Sequence, residues 1–130
     1  VLSIEMIEAV GEEHWPAYFR TVADRLKPGG AAVIQAIVME PAVFATYRRK
    51  VDFIQRYVFP GGMLLTTPAI RAEAERAGLT LTHVETFGQS YARTLNLWRE
   101  RFEAHWSDIA PLGFDGGTTS PTARRVFWTA

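Results

Sequence analysis

The segment Ser3-Ile-Glu-Met-Ile-Glu-Ala-Val-Gly11 begins as an apolar, strand-like run and then places a carboxylate, Glu8, shortly before a glycine. Open α/β sheets keep their chemistry in the loops that follow the carboxyl ends of their strands. A carboxylate in apolar sequence is costly to bury without a partner, which makes Glu8 a candidate functional residue. The pattern alone leaves two interpretations open: Glu8 serves a site, or it only caps or solvates a turn.

The composition is that of a globular domain. The chain has 130 residues, 48% of them hydrophobic, and its 14 cationic side chains balance 14 carboxylates. That balance gives no support for a nucleic-acid partner, which would favour a clustered positive face. The absence of cysteine excludes disulfides and thiolate metal sites. The three histidines are expected to be structural or exposed, so no metal site is predicted, and a cytoplasmic location is the default.

The sequence after Gly11 predicts a helix followed by a strand. Residues 12–26 have apolar side chains at helical spacing, with a helix start near His14 or Trp15. Residues 31–38 are apolar on both faces apart from Gln35, which is typical of a parallel strand that is covered on both sides. Strand, helix and strand in this order form half of a doubly wound α/β fold.

The rest of the chain predicts four further elements. These are a helix over 41–59, a helix from an N-cap at Thr67 to about Ala77, a strand over 79–86 and a long helix from Tyr91. The last of these carries a strong apolar stripe.

Three polar features in these elements have open interpretations. The basic triplet Arg48–Lys50 either is a solvated helix face or meets phosphate head groups. Gln35, in an otherwise apolar strand, either is satisfied by neighbouring backbone or faces a ligand. Tyr91, at the start of a helix after a loop, is a further candidate for a polar role in a site.

Several motifs occur together and in the order of a known family. They are the opening segment, Trp15-Pro16-x-Tyr18-Phe19, Leu26-Lys27-Pro28-Gly29-Gly30, Phe53-Ile54-x-x-Tyr57-x-Phe59-Pro60-Gly61-Gly62 and Phe87-Gly88-x-x-Tyr91-x-x-Thr94-Leu95-x-x-Trp98-x-x-x-Phe102. With these motifs the chain resembles the C-terminal half of the cyclopropane-fatty-acyl-phospholipid synthases, which are related to the mycolic acid cyclopropane synthases.

The resemblance implies a fold and a domain organisation. The fold is the C-terminal portion of a Rossmann-like class I methyltransferase sheet with inserted lipid-site helices. The cofactor-binding half is expected before Val1, and the final strand is expected to be missing, so this fragment alone is expected to be inactive. Residues 1–115 are expected to form part of the methyltransferase domain, and residues 116–130 a divergent or disordered tail.

The resemblance also implies an activity. A methyl group passes from S-adenosylmethionine to the cis double bond of a phospholipid acyl chain, and the resulting carbocation loses a proton as a cyclopropane ring closes. The base is a bicarbonate, for which the resemblance implies Glu8, Tyr91 and the backbone of Ile37 as ligands. Gln35 stands where many members have histidine; a glutamine can donate a hydrogen bond but cannot relay a proton. A fatty-acyl methyltransferase that makes methyl-branched chains is therefore an alternative.

The expected lipid contacts, partner and location also follow from the resemblance. The resemblance implies that Phe59, Gly61, Gly62 and Trp98 bind the substrate, that phospholipid acyl chains at a membrane surface are the partner, and that a homo-oligomer is an option. A peripheral position at the inner membrane face fits the same partner. An alternative of another class is a non-catalytic lipid- or partner-binding module that uses the stripe of the last helix and Arg48–Lys50.

Overall fold

The computed structural model describes residues 1–112. The described residues form two compact units that divide between His83 and Val84. The predicted tail at 116–130 lies outside the described residues.

Two short parallel strands and the helix between them organise the first unit. Strand β1 (Leu2–Ile4) pairs with β2 (Val33–Gln35) so that Ser3 lies opposite Ile34. Helix α1 (Trp15–Asp24) connects them, after 3₁₀ turns at Ile7–Ala9 and Glu12–His14. The predicted helix start near His14 or Trp15 is confirmed, since α1 begins at Trp15. Pro16 is tolerated in the first turn because its missing N–H would make no intrahelical hydrogen bond there.

The core of this unit lies between α1 and the next long helix, α3 (Thr67–Arg76). It comprises Ile7, Trp15, Phe19, Leu65 and Ala74, all of them buried. The apolar periodicity of α1 is confirmed, since Trp15, Phe19 and Val22 are its buried residues. A polar link ties α1 to β1, where the Tyr18 hydroxyl donates to Ser3 Oγ at 2.6 Å.

The cap of α3 lies one residue earlier than the sequence predicts. Thr66, not Thr67, is the N-cap: its backbone is extended and its hydroxyl oxygen accepts the Ala69 N–H at 3.2 Å. The predicted end is confirmed, because Gly78 follows the helix with φ +78°, a conformation that glycine adopts without strain.

The prediction of one helix over 41–59 is wrong. Helix α2 spans only Pro41–Tyr47, turns follow, and a separate π-helical turn covers Ile54–Val58. A new cap explains the break. The Asp52 carboxylate accepts the Gln55 N–H at 2.7 Å, and the Gln55 side chain accepts the Asp52 N–H at 3.1 Å. Reciprocal bonds of this kind start a fresh helical turn.

The predicted strands are shorter than expected or absent. In the predicted 31–38 strand, only Val33–Gln35 forms β2, with an isolated bridge from Val38 to Leu65. Val33 is 62% exposed, so β2 is not covered on both sides. The strand predicted over 79–86 is wrong. A strand needs a neighbour, and Leu79 instead donates its N–H to Ala74 O at the end of α3.

The described part of the second unit is helical. Helix α4 (Gly88–Ala104) begins before Tyr91, the predicted start, and α5 (Trp106–Ile109) and a 3₁₀ turn (Ala110–Leu112) follow. The apolar stripe brings the rings of Phe102 and Trp106 within 5.4 Å, but no residue of α4 is buried. Within residues 1–112, no helix is long and apolar enough to cross a membrane.

Candidate functional site

Glu8 lies in the 3₁₀ turn that directly follows β1. Its Oε1 accepts the backbone N–H of Ile37, the second residue after β2, at 2.5 Å. Its Oε2 is buried and has no hydrogen-bond partner in the described structure. Because a buried carboxylate oxygen without a partner is costly, this atom marks a candidate ligand position in the first unit.

Gln35 is the last residue of β2 and lies near the turn that carries Glu8. The Gln35 side chain is paired with Glu5, a residue that the sequence analysis did not single out. The Gln35 amide Nε2 donates to Glu5 Oε1 at 3.0 Å, and the Glu5 N–H donates to Gln35 O at 2.9 Å. Glu5 has φ +49°, which is uncommon for a residue with a side chain. The available signal for Glu5 was the same as for Glu8: an acidic residue inside an apolar run.

The Gly-Gly turn predicted to bind substrate contacts the backbone of Glu8. Met63 N–H donates to Glu8 O at 2.7 Å. A Cβ on Gly62 would lie 3.0 Å from Phe59 O, a tight contact within the turn, and 3.5 Å from Glu8 O, an ordinary van der Waals contact. Gln55 Nε2 donates to Gly62 O at 3.0 Å and holds the turn from the other side.

The remaining predicted residues differ in their surroundings. Gly61 adopts φ +81° in the same turn, and the Phe59 side chain is 66% exposed. Tyr91 and Trp98 lie on α4 of the second unit, Tyr91 half-buried and Trp98 exposed. The first unit therefore brings Glu8, Ile37 and Gly62 together, and Gln35 is held at its edge by Glu5.

This arrangement suits the binding of a small polar group. One oxygen of the Glu8 carboxylate is fixed by a backbone N–H, and the other is available to accept an O–H or N–H from a ligand. The Gln35 amide uses one N–H for Glu5, and its nitrogen carries a second donor. Residues 1–112 contain no cluster of three or more side chains that could hold a metal ion.

Comparison with known proteins relates this chain to a known family. Residues 1–119 match the family model of mycolic acid cyclopropane synthetase. A tuberculostearic acid methyltransferase of Mycobacterium tuberculosis is 43% identical over 116 residues, which are 88% of this chain and 27% of that protein. The cyclopropane-fatty-acyl-phospholipid synthase of Escherichia coli K12 is 33% identical over 113 residues, which are 85% of this chain and 28% of that protein.

Two solved structures share the fold. A mycolic acid cyclopropane synthase complexed with SAH and CTAB superposes with a TM-score of 0.78 and 26% identity. A cyclopropane synthase from Mycobacterium tuberculosis superposes with a TM-score of 0.75 and 21% identity. Each match covers 98% of this chain and 46% of the solved chain. The predicted fold is confirmed: the chain is part of an α/β fold of the cyclopropane synthase type.

Proposed function

Because this chain belongs to the mycolic acid cyclopropane synthetase family, we propose that it takes part in methyl transfer from S-adenosylmethionine to the cis double bond of a phospholipid acyl chain, with closure of a cyclopropane ring. The two relatives compared above are, by name, a methyltransferase and a cyclopropane synthase. The chain spans only 27% and 28% of their lengths, so the activity belongs to a whole protein that contains these residues.

The observation that carries the proposal is the buried, unpartnered Oε2 of Glu8. Methyl transfer to an alkene leaves a carbocation, and ring closure requires that a proton depart from the transferred methyl group. S-adenosylmethionine supplies that methyl group. A group that accepts the proton must therefore be held beside the acyl chain. Glu8 lies in the turn after β1 and is fixed by the Ile37 N–H, which supports its role in holding such a group.

The residues at this position fit bicarbonate, which supplies a proton acceptor when bound. Glu8 Oε2 can accept the O–H of a bicarbonate, and the second N–H of the Gln35 amide can donate to one of its oxygens. The Ile37 N–H already donates to Glu8, so in this arrangement Ile37 orients the carboxylate. The resemblance assigns Tyr91 to the same group.

The acyl chain needs apolar surroundings, because water would trap the carbocation. The resemblance assigns this role to Phe59, Gly61, Gly62 and Trp98. The hydrogen bond from Met63, next to Gly62, to the Glu8 carbonyl supports an acyl position at this turn. We further propose a cytoplasmic protein that works peripherally at the inner membrane face, where its phospholipid substrate lies; a homo-oligomer is compatible with this role.

A second candidate is the formation of a methyl-branched chain without ring closure. Two observations favour it: the relative at 43% identity is named a tuberculostearic acid methyltransferase, and Gln35 cannot relay a proton. Both candidates share the methyl transfer and the carbocation that it leaves. In the second candidate the carbocation loses a proton without ring closure, which leaves a methylene branch, and a separate hydride donor such as a reduced nicotinamide would be needed to convert it to a methyl branch.

A chimaera tests the proposal and separates the two products. This chain would replace the matching part of the Escherichia coli synthase, in cells that lack their own enzyme, and the extracted lipids would be analysed by mass spectrometry and proton NMR. Cyclopropane signals support ring closure, and methyl or methylene branches support the second candidate. Unmodified acyl chains from a folded chimaera that binds S-adenosylmethionine would reject both.

A further inference from the structure

Residues 48–59, between α2 and α3, expose apolar side chains to solvent; we call them the exposed segment. Val51 is 73% exposed and Tyr57 65%, and no residue of the segment is buried. Phe53, Ile54 and Phe59 are also among the exposed large hydrophobic residues. A contiguous apolar surface with charged residues beside it is characteristic of interaction sites.

The exposed segment is also strongly cationic. Arg48, Arg49, Lys50 and Arg56 against Asp52 give it a formal net charge of +3, whereas the whole chain has a net charge of zero. Arg48 is engaged, because its Nη2 lies 2.6 Å from Glu12 Oε1. Within residues 1–112 the other three cations form no ion pair with a carboxylate. Within the described residues, the charge of these three cations is therefore not offset by a paired carboxylate.

The aromatic side chains are arranged with the cations. The rings of Phe53 and Tyr57 lie 5.1 Å apart, and the Arg56 guanidinium carbon lies 5.5 Å from the centre of the Tyr57 ring. Aromatic rings and long cationic side chains together favour the boundary between lipid and water, where the rings contact apolar groups and the charges face head groups.

We propose that the exposed segment docks the protein on an anionic phospholipid surface, with Val51, Phe53 and Tyr57 entering the head-group region and Arg49, Lys50 and Arg56 contacting lipid phosphates. The inference rests on the proposed function only in taking a membrane phospholipid as substrate. A second copy of the chain is a poor occupant of the same surface, because it would bring Arg49, Lys50 and Arg56 of one copy against the same cations of the other.

The first test measures binding of the 130-residue chain to vesicles of phosphatidylcholine with and without phosphatidylglycerol, by co-sedimentation. The chain is expected to bind only the anionic vesicles, and more weakly in high salt. The triple variant R49Q/K50Q/R56Q should bind roughly a hundredfold more weakly, since each cation near an anionic surface contributes about fivefold.

A matched control loses the same charge elsewhere. The variant R20Q/R25Q/K27Q removes three exposed cations on and just after α1. It should retain most of the binding, and circular dichroism should show that both triple variants are folded. Equal losses in the two variants would overturn the proposal, because they would show a dependence on net charge alone.

A second test locates the contact without altering any charge. The chain has no cysteine, so a single introduced thiol is a unique labelling position. An environment-sensitive fluorophore on Val51→Cys should shift to the blue when anionic vesicles are added, and one on Ala17→Cys, at an exposed position of α1, should not. A shift at both positions, at neither, or at Val51→Cys in lipid-free concentrated protein would contradict docking through this segment.

The outcomes for docking and for catalysis can be separated. Vesicle binding that needs Arg49, Lys50 and Arg56, together with a chimaera that leaves lipids unmodified, would reject the proposed function and retain the docking segment. Lipid methylation by the chimaera, with no vesicle binding by the chain, would retain the proposed function and reject the docking segment.

Discussion

The turn that carries Glu8 and the exposed segment belong to the same compact unit but are stabilised in opposite ways. Around Glu8, bonds come from distant parts of the chain: Ile37 donates to the side chain and Met63 to the carbonyl, above a fully buried Ile7. In residues 48–59 most bonds are local, such as those between Asp52 and Gln55, and nothing is buried. Long-range bonds hold a side chain in a fixed position, whereas a segment with mainly local bonds constrains its side chains less.

The largest expected effect on stability comes from a substitution in the core beneath the Glu8 turn. Phe19 is 1% exposed, so Phe19→Ala should lower the free energy of unfolding by about 3–5 kcal/mol. Tyr57→Ala, in the exposed segment, should change it by no more than about 0.5 kcal/mol. Urea denaturation of the chain measures both, and similar losses at the two positions would contradict the contrast between the two regions.

Glu8→Gln tests the carboxylate itself. The amide oxygen can still accept the Ile37 N–H, but the unpartnered oxygen is replaced by a donor. In the chimaera with the Escherichia coli synthase, turnover should fall by about a hundredfold or more. Calorimetry should show unchanged affinity for S-adenosylmethionine, and turnover equal to the unsubstituted chimaera would reject the role of Glu8.

Gly62→Ala sharpens the contrast by crowding the Gly-Gly turn, whose next residue donates to the Glu8 carbonyl. The new methyl group would lie 3.0 Å from Phe59 O, so the turn must shift, at a cost of about 1–3 kcal/mol in the free energy of unfolding. Gly88→Ala is the control, because a methyl group added there would meet nothing within 4 Å. A loss at Gly88→Ala as large as at Gly62→Ala would show that the effect is not steric.

The smallest expected effect concerns the cap of α3, which follows the same turn. Thr66→Ala removes the acceptor for the Ala69 N–H and should cost about 1 kcal/mol of stability. Thr67→Ala, at the position that the sequence favoured, should cost less than about 0.5 kcal/mol. Thermal or urea unfolding of the pair decides which threonine is the cap.

The sequence predicted the elements whose signals are local. The first turn with Pro16 placed the start of α1, its periodicity placed Phe19 and Val22 in the core, and Gly78 marked the end of α3. It did not predict the break after Tyr47, because apolar spacing continues through a capping pair that depends on two polar side chains. The strand over 79–86 was wrong because pairing depends on a neighbour that residue pattern cannot supply.

The site was predictable in part. Glu8 was visible as a carboxylate in apolar sequence, and Gly62 through the family motif. The bond from Ile37 N–H to Glu8 Oε1 could not be seen, since it joins backbone to side chain across the ends of two strands. Glu5 was missed because its importance comes from its pairing with Gln35. The roles of Tyr91, Trp98 and Phe59 stay predictions.

The turn at residues 60–63 acts as a spacer of fixed length. On one side Gln55, from the exposed segment, holds Gly62 O; on the other, Met63 holds the carbonyl of Glu8. One inserted residue would force one of these two bonds to break, and the depth of the carboxylate relative to residues 51–57 would change. In the proposed docking, the distance from the lipid surface to Glu8 is therefore set by the chain length of this one turn.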